Sequence, residues 1–157
     1  MPVGYWLTVA ILSWGVACAL TRWRRPGPFS AIPALLVGYG AEPGPLFVTG
    51  SSAGANLAIR AVCEGETGIA GLICRYGYYG DLAPRGDMPP MLVVHGEKDI
   101  LASVSGVRAF VERVRAVSSR PVIYAELPGA HHDFDMFESI RSAAVSEAVA
   151  EFTARVP

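Results

Sequence analysis

Three short polar stretches carry side chains that could do chemistry together. The first, Gly50-Ser51-Ser52-Ala53-Gly54, has the Gly-x-Ser-x-Gly pattern of a sharp strand-to-helix turn, which lifts a serine hydroxyl clear of a sheet. Ser52 is its central residue. Gly50 and Gly54 would remove side chains that collide in such a turn, and the following helix N-terminus favours developing negative charge. The backbone N–H of Ala53 would donate to an oxyanion. A helix N-cap fits the same place, so Ser51 and Ser52 also have a purely structural reading.

A serine hydroxyl is a poor nucleophile near neutral pH and needs a base titrating close to that pH, itself oriented by an acid. "LVVHGEKDILAS" puts Asp99 in the loop after an apolar strand, with Glu97 nearby as the alternative acid. Loop solvation, or capping of a helix near Ser103, would account for either. "ELPGAHHDFDMF" follows another strand and holds His131 and His132, two of the three histidines. Residue type alone leaves both open as the base.

His131, His132, Asp133 and Asp135 also form a dense, ligand-like cluster. Adjacent histidines on an extended loop point apart, and no second cluster completes a site, so the expectation is no metal. His95, at a strand end before Gly96, reads as a structural hydrogen-bonding residue. Cys18, Cys63 and Cys74 are odd in number and lack zinc spacing, so they read as reduced, apolar residues.

The elements that must position these groups follow from apolar spacing. Strands are expected at Leu46–Thr49, Ala70–Arg75, Met91–His95 and Pro121–Leu127. Helices are expected at Ala53–Cys63, with Leu57, Ala58, Ala61 and Val62 on one face, and at Val104–Val117, with Val107, Phe110, Val111, Val114 and Val117 in a stripe. A closing helix, Ser139–Arg155, turns Ile140, Val145, Ala148, Val149 and Phe152 inward. This order predicts an α/β fold of about four parallel strands with flanking helices, and chemistry at the strands' C-terminal ends.

With 157 residues, 52% hydrophobic and 17% charged, residues 46–157 can form one core. A formal charge of −1 gives no field to gather nucleic acid, so small or neutral ligands are expected. "MPVGYWLTVAILSWGVACAL" carries no charge, and roughly 20 residues of helix match a hydrocarbon layer of about 30 Å. Tyr5, Trp6 and Trp23 flank it and Arg22, Arg24 and Arg25 follow, which predicts a membrane anchor over 1–23, with residues 4–20 in the bilayer. The arginines place the remainder in the cytoplasm and argue against a cleaved signal peptide. A buried hairpin is the soluble alternative. Residues 24–45, with prolines at 26, 28, 33, 43 and 45, read as a linker.

"VTGSSAGAN", "PPMLVVHGEKDILAS" and "VIYAELPGAHHDFDMF", in that order, resemble the C-terminal half of α/β-hydrolase fold esterases and lipases of the hormone-sensitive-lipase-like branch. The resemblance runs from about Gly38 to the C-terminus. It implies Ser52 as nucleophile, Asp99 as triad acid and His132, rather than His131, as base. It also implies hydrolysis of small or lipid carboxylic esters through an acyl-enzyme, with no cofactor. Some members of the branch begin with an apolar, membrane-spanning segment.

The sequence departs from that family in two places. No His-Gly-Gly-type loop, the family's other source of oxyanion N–H groups, stands before Ser52, and residues 21–45 hold at most one short element. "YGYYGDLAPRGDMPP" is too short for the usual connecting helix and lid. A shortened domain is therefore expected, with slowed acyl transfer and an open edge at Leu46–Thr49 that a second chain or a membrane surface would cover. Tyr78, Tyr79 and Phe134 are the expected cleft lining, with ordinary packing as their other account. A non-catalytic remnant acting through a partner, or a peptidase of the prolyl-oligopeptidase type, would share the same triad order.

Overall fold

A computed structural model describes residues 44–80 and 82–156. The anchor predicted over 1–23, nearly all of the linker and Cys18 lie outside the described residues. Among the described residues, no helix is long and apolar enough to cross a membrane.

The chain runs β1 (Phe47–Ser51), α1 (Ala53–Cys63), β2 (Gly71–Arg75), β3 (Met91–Gly96), α2 (Val104–Val117), β4 (Val122–Leu127) and α3 (Ile140–Arg155). The four strands form one sheet in the order β1-β2-β3-β4, and every pairing is parallel. Ser51 stands opposite Arg75, Arg75 opposite Val94, and Val94 opposite Ala125, so the strands reach their C-terminal ends at one edge. The expectation of an open edge at β1 turns on residues before Gly44, outside those described.

Strand side chains alternate between two packed layers, as a period of two requires. Leu72, Cys74, Met91 and Val93 face a core with Ala55, Ala58, Ile59 and Val62 of α1 and Val107, Phe110, Val111 and Val114 of α2. Ile73, Leu92 and Val94 face the opposite way, against Val145 and Phe152 of α3. Both faces are covered, which is why β3 is buried from end to end and opens with the apolar run Met91–Val94. Burial also pushes the Cys74 thiol up to about 12, so it acts as an apolar filler.

Several helix faces differ from expectation. The buried face of α1 is Ala55, Ala58, Ile59 and Val62, and Leu57 is turned to a cleft instead. Val117 is half exposed because α2 ends there, and Ser118 turns extended. Ile140 is 92% exposed and Ala148 is also exposed, leaving Val145 and Phe152 as the buried contacts of α3. That helix is held at its start by a reciprocal cap: the Ser142 N–H donates to Ser139 Oγ and the Ser139 N–H to Ser142 Oγ.

Candidate active site

The turn between β1 and α1 holds Ser52 at φ 51 and ψ −121, a conformation that favours glycine. Its N–H donates to the Arg75 carbonyl at 2.9 Å, and its own carbonyl accepts from Ala55 and Asn56 at 3.1 and 3.2 Å. The backbone is thus fixed on both sides of the strained residue. A Cβ on Gly50 would lie 2.5 Å from the backbone of Gly54, so only glycine fits there. Gly54 differs from expectation: a Cβ there meets nothing within 4 Å.

The Ser52 side chain makes no cap hydrogen bond, which removes the N-cap account of this residue. Its Oγ lies 2.9 Å from His132 Nε2. On the far side of the same ring, Nδ1 lies 2.7 Å from Asp99 Oδ2. The other Asp99 oxygen accepts from the N–H groups of Leu101 and Ala102 at 2.8 and 2.9 Å. Burial raises the Asp99 carboxyl, but the Ala102 N–H, His132 and the Leu101 N–H outweigh it and hold the group below the usual carboxylate range.

An ionised carboxylate only accepts, so His132 carries its proton on Nδ1 and offers a free lone pair on Nε2. Ser52 then donates to it. This is the arrangement in which a serine can be deprotonated as it attacks.

The loops after β3 and β4 are fastened together. The Lys98 N–H donates to the Ala130 carbonyl at 2.8 Å, and the Glu97 carboxylate accepts from the Gly129 N–H at 2.8 Å. Glu97 therefore braces the histidine loop and does not reach the imidazole. A Cβ on Gly96 would come within 2.6 Å of the Ala130 and His131 carbonyls, so glycine permits this close approach. His131 is exposed, whereas the His132 side chain is only 11% exposed. His95 is fully buried, with Nε2 2.9 Å from the Ala102 carbonyl, a structural contact that supports the Asp99 turn from below.

A cleft of about 490 Å³ opens beside Ser52, with Leu57, Tyr78 and Leu101 as its apolar wall. The exposed N–H-bearing residue Ala53 also lines it. Tyr79, expected in the lining, is fully buried in the core with its ring 5.1 Å from that of Phe110. Phe134 packs edge-on against Tyr76 and the β3–α3 layer, so both of these aromatics are packing residues. Among the described residues, no group of three or more His, Cys, Asp or Glu is arranged to hold a metal ion.

Sequence reasoning passed over Arg75, Tyr76 and Asn56. Tyr76, at φ 40, places its ring edge-on to His132 with centroids 4.8 Å apart, and its hydroxyl donates to Asp135 Oδ1 at 2.7 Å. Burial pushes its phenol up to about 12, so it stays a donor. Arg75 pairs with the same carboxylate, and the Asn56 amide donates to the Tyr78 carbonyl. The three non-glycine residues with positive φ among those described, Ser52, Tyr76 and Asp133, all belong to this region. The order Arg-Tyr at a strand end and Asp three residues after a histidine was visible, but no local pattern joins residues so far apart.

No protein-family model matches the chain. It is similar to the probable carboxylic ester hydrolase LipM of Mycobacterium tuberculosis, 30% identical over 75% of this chain and 39% of that protein. It is also similar to the esterase LipC of the same organism, 47% identical over 43% of this chain and 17% of that one. The chain thus spans about two fifths of the length of LipM. The apo form of Thermogutta terrifontis esterase 2 superposes with a TM-score of 0.65 at 17% identity, covering 80% of this chain and 60% of that one. The parallel sheet and this superposition give the chain the fold of the α/β-hydrolase esterases, and its sequence is similar to that of mycobacterial carboxylic ester hydrolases.

Proposed function

We propose that the chain is a serine hydrolase that cleaves carboxylic esters through an acyl-enzyme, with Ser52 as nucleophile, His132 as base and Asp99 as the acid behind it. One observation carries the reading: an unbroken line of contacts, 2.7 Å from Asp99 to His132 and 2.9 Å from His132 to Ser52. The names of the relatives, a carboxylic ester hydrolase and an esterase, support the reaction class.

In this reading Ser52 Oγ bonds to the acyl carbon as its proton passes to His132 Nε2, and the carbonyl electron pair moves onto oxygen. The Ala53 N–H donates to that oxyanion. The tetrahedral species collapses by breaking the bond to the alcohol, which leaves with the proton from Nε2. Water, deprotonated in turn by His132, attacks the acyl-serine; the bond from the acyl carbon to Ser52 Oγ breaks, Oγ takes the proton back from Nε2, and the carboxylic acid leaves. Asp99 stays ionised throughout and steadies the imidazolium. The cycle calls for no cofactor.

Leu57, Tyr78 and Leu101 would receive an apolar acyl or alcohol group, which favours small or lipid esters over charged ones. No His-Gly-Gly-type sequence stands before Ser52 to add donors beside Ala53. One missing donor is worth about 2.7–4 kcal/mol, so the proposed turnover of this chain is slow. The apolar residues 4–20 would hold the domain at a membrane, and liposome flotation of the full chain against one lacking them tests that part.

Turnover of p-nitrophenyl acetate and butyrate, with and without Ser52→Ala, tests the reaction. The expected loss is ~10³-fold or more. Fluorophosphonate labelling at Ser52 should depend on His132. Turnover indifferent to Ser52→Ala overturns the assignment, and an unlabelled, inactive chain points to a non-catalytic role through a partner.

A further inference from the structure

Ser52 and His132 reach the site from segments 80 residues apart, and Arg75-Tyr76 touches both. The Arg75 carbonyl accepts from the Ser52 N–H, fixing the elbow. The Arg75 guanidinium and the Tyr76 hydroxyl both donate to Asp135, three residues beyond His132. The Tyr76 ring meets His132 on one side at 4.8 Å and Phe134 at 5.1 Å, each edge-on.

The dipeptide is itself rigidly placed. Arg75 ends β2, paired with Ser51 and Val94, and the Tyr76 N–H donates to the Val94 carbonyl at 2.9 Å. The Asp135 side chain is 12% exposed and that of Arg75 28%, so the pair is largely shielded from water and screening. A charge-assisted pair of this kind resists displacement more than a surface contact does.

We propose that Asp135 is a positioning residue: held by Arg75 and Tyr76, it sets the distance between His132 and Ser52. The inference rests on the reading of Ser52 and His132 given above. Asp99 fixes the ring's tautomer and tilt through Nδ1. Lys98 and Glu97 hold the loop at Ala130 and Gly129, on the near side of His132, and the Asp135 clamp holds it on the far side. A displacement of about 1 Å in such a geometry lowers rates roughly 100-fold.

Two variants test the proposal. Asp135→Asn places an amide donor against Arg75, and Tyr76→Phe removes only the hydroxyl while keeping the ring. Both should lower kcat, by about 10- to 100-fold and about 3- to 10-fold respectively, with KM within about twofold. Asp135→Glu, which restores the charge, should recover part of the loss in kcat. The far-downfield proton signal of His132 Nδ1, a readout independent of turnover, should shift or broaden in Tyr76→Phe.

Tyr76→Phe and Asp135→Asn with unchanged kcat and an unchanged Nδ1 signal, in a chain that Ser52→Ala inactivates, overturn the clamp and leave the proposed function standing. Turnover insensitive to Ser52→Ala overturns the function instead. The Nδ1 signal then decides the clamp alone, an unchanged signal overturning it and a shifted one supporting it.

Discussion

Asp99 gives one carboxylate oxygen to His132 and keeps the other for its own loop: Oδ2 sits 2.7 Å from His132 Nδ1, and Oδ1 accepts from the Leu101 and Ala102 N–H groups. The carboxylate is thus fixed at both ends. It can dictate the imidazole tautomer without moving.

Asp99→Asn separates those two jobs. The amide oxygen can still accept from Leu101 and Ala102, so the loop should persist, and the thermal midpoint should fall only by the stability that the Asp99 charge contributes. An amide NH₂ facing His132 demands an acceptor at Nδ1, which sends the ring proton to Nε2, against Ser52. The expected loss of kcat is about 10⁴-fold, read with p-nitrophenyl butyrate. A variant within tenfold of the parent would show that Asp99 does not set the tautomer.

Acid should remove the same interaction. The Asp99 carboxyl titrates below its ordinary value in the folded chain, so its ionisation contributes stability that is full above about pH 4–5. That stability is lost as pH falls through the depressed folded value. Urea unfolding of the parent and Asp99→Asn should therefore show a constant difference between pH 7 and 5, narrowing below about pH 4. A difference that widens in acid contradicts the assigned sign.

The two elbow glycines should behave oppositely. Gly50→Ala drives a methyl to 2.5 Å from the Gly54 backbone, and relief of that clash should destabilise the chain by about 1–3 kcal/mol and abolish turnover. Gly54→Ala meets open space within a helix, and should stabilise by about 0.5–1 kcal/mol. Denaturation midpoints of the two variants decide the point; equal effects would mean that the turn tolerates a Cβ at Gly50.

At the opposite end of the sheet, Glu66 is 8% exposed, and neither of its carboxylate oxygens has a hydrogen-bond partner among the described residues. It lines a pocket of about 310 Å³ beside Ile69 and Pro89. Leaving a buried acceptor unsatisfied costs about 1–3 kcal/mol. Glu66→Met, of similar length and without polar oxygens, should raise the urea midpoint with no change in kcat. A lowered midpoint would indicate that the carboxylate has a partner in solution.

Strands and helices were readable because burial on both faces of the sheet writes itself into composition: Met91–Val94 is apolar throughout, and Val107, Phe110, Val111 and Val114 repeat at helical spacing. The faces of α1 and α3 were less so. Leu57 looks like a core residue because a cleft wall and a core both select apolar side chains, and Ile140 is apolar yet exposed at a helix start. Within the site, Ser52, Asp99 and His132 sit where strand ends are expected, so their types and order carry information. Arg75, Tyr76 and Asp135 act through contacts 59 and 60 residues apart, and no periodicity marks such pairs. The choice between Asp99 and Glu97 needed geometry as well, since only the structure turns Glu97 toward Gly129.

The parallel order of the sheet has a kinetic consequence. Ser52 follows β1, Asp99 follows β3 and His132 follows β4, so the contact between Ser52 and His132 closes a loop of 80 residues. The parallel pairings join only consecutive strands, but a contact that spans all four forms late, because chain entropy is lost before the contacts return it. β1, α1 and β2 can assemble early and already hold Ser52 in its strained turn. Under the proposed function Ser52 gains its base only when β4 docks, so the rate at which refolding chains become labelled at Ser52 would be a clock for the last strand.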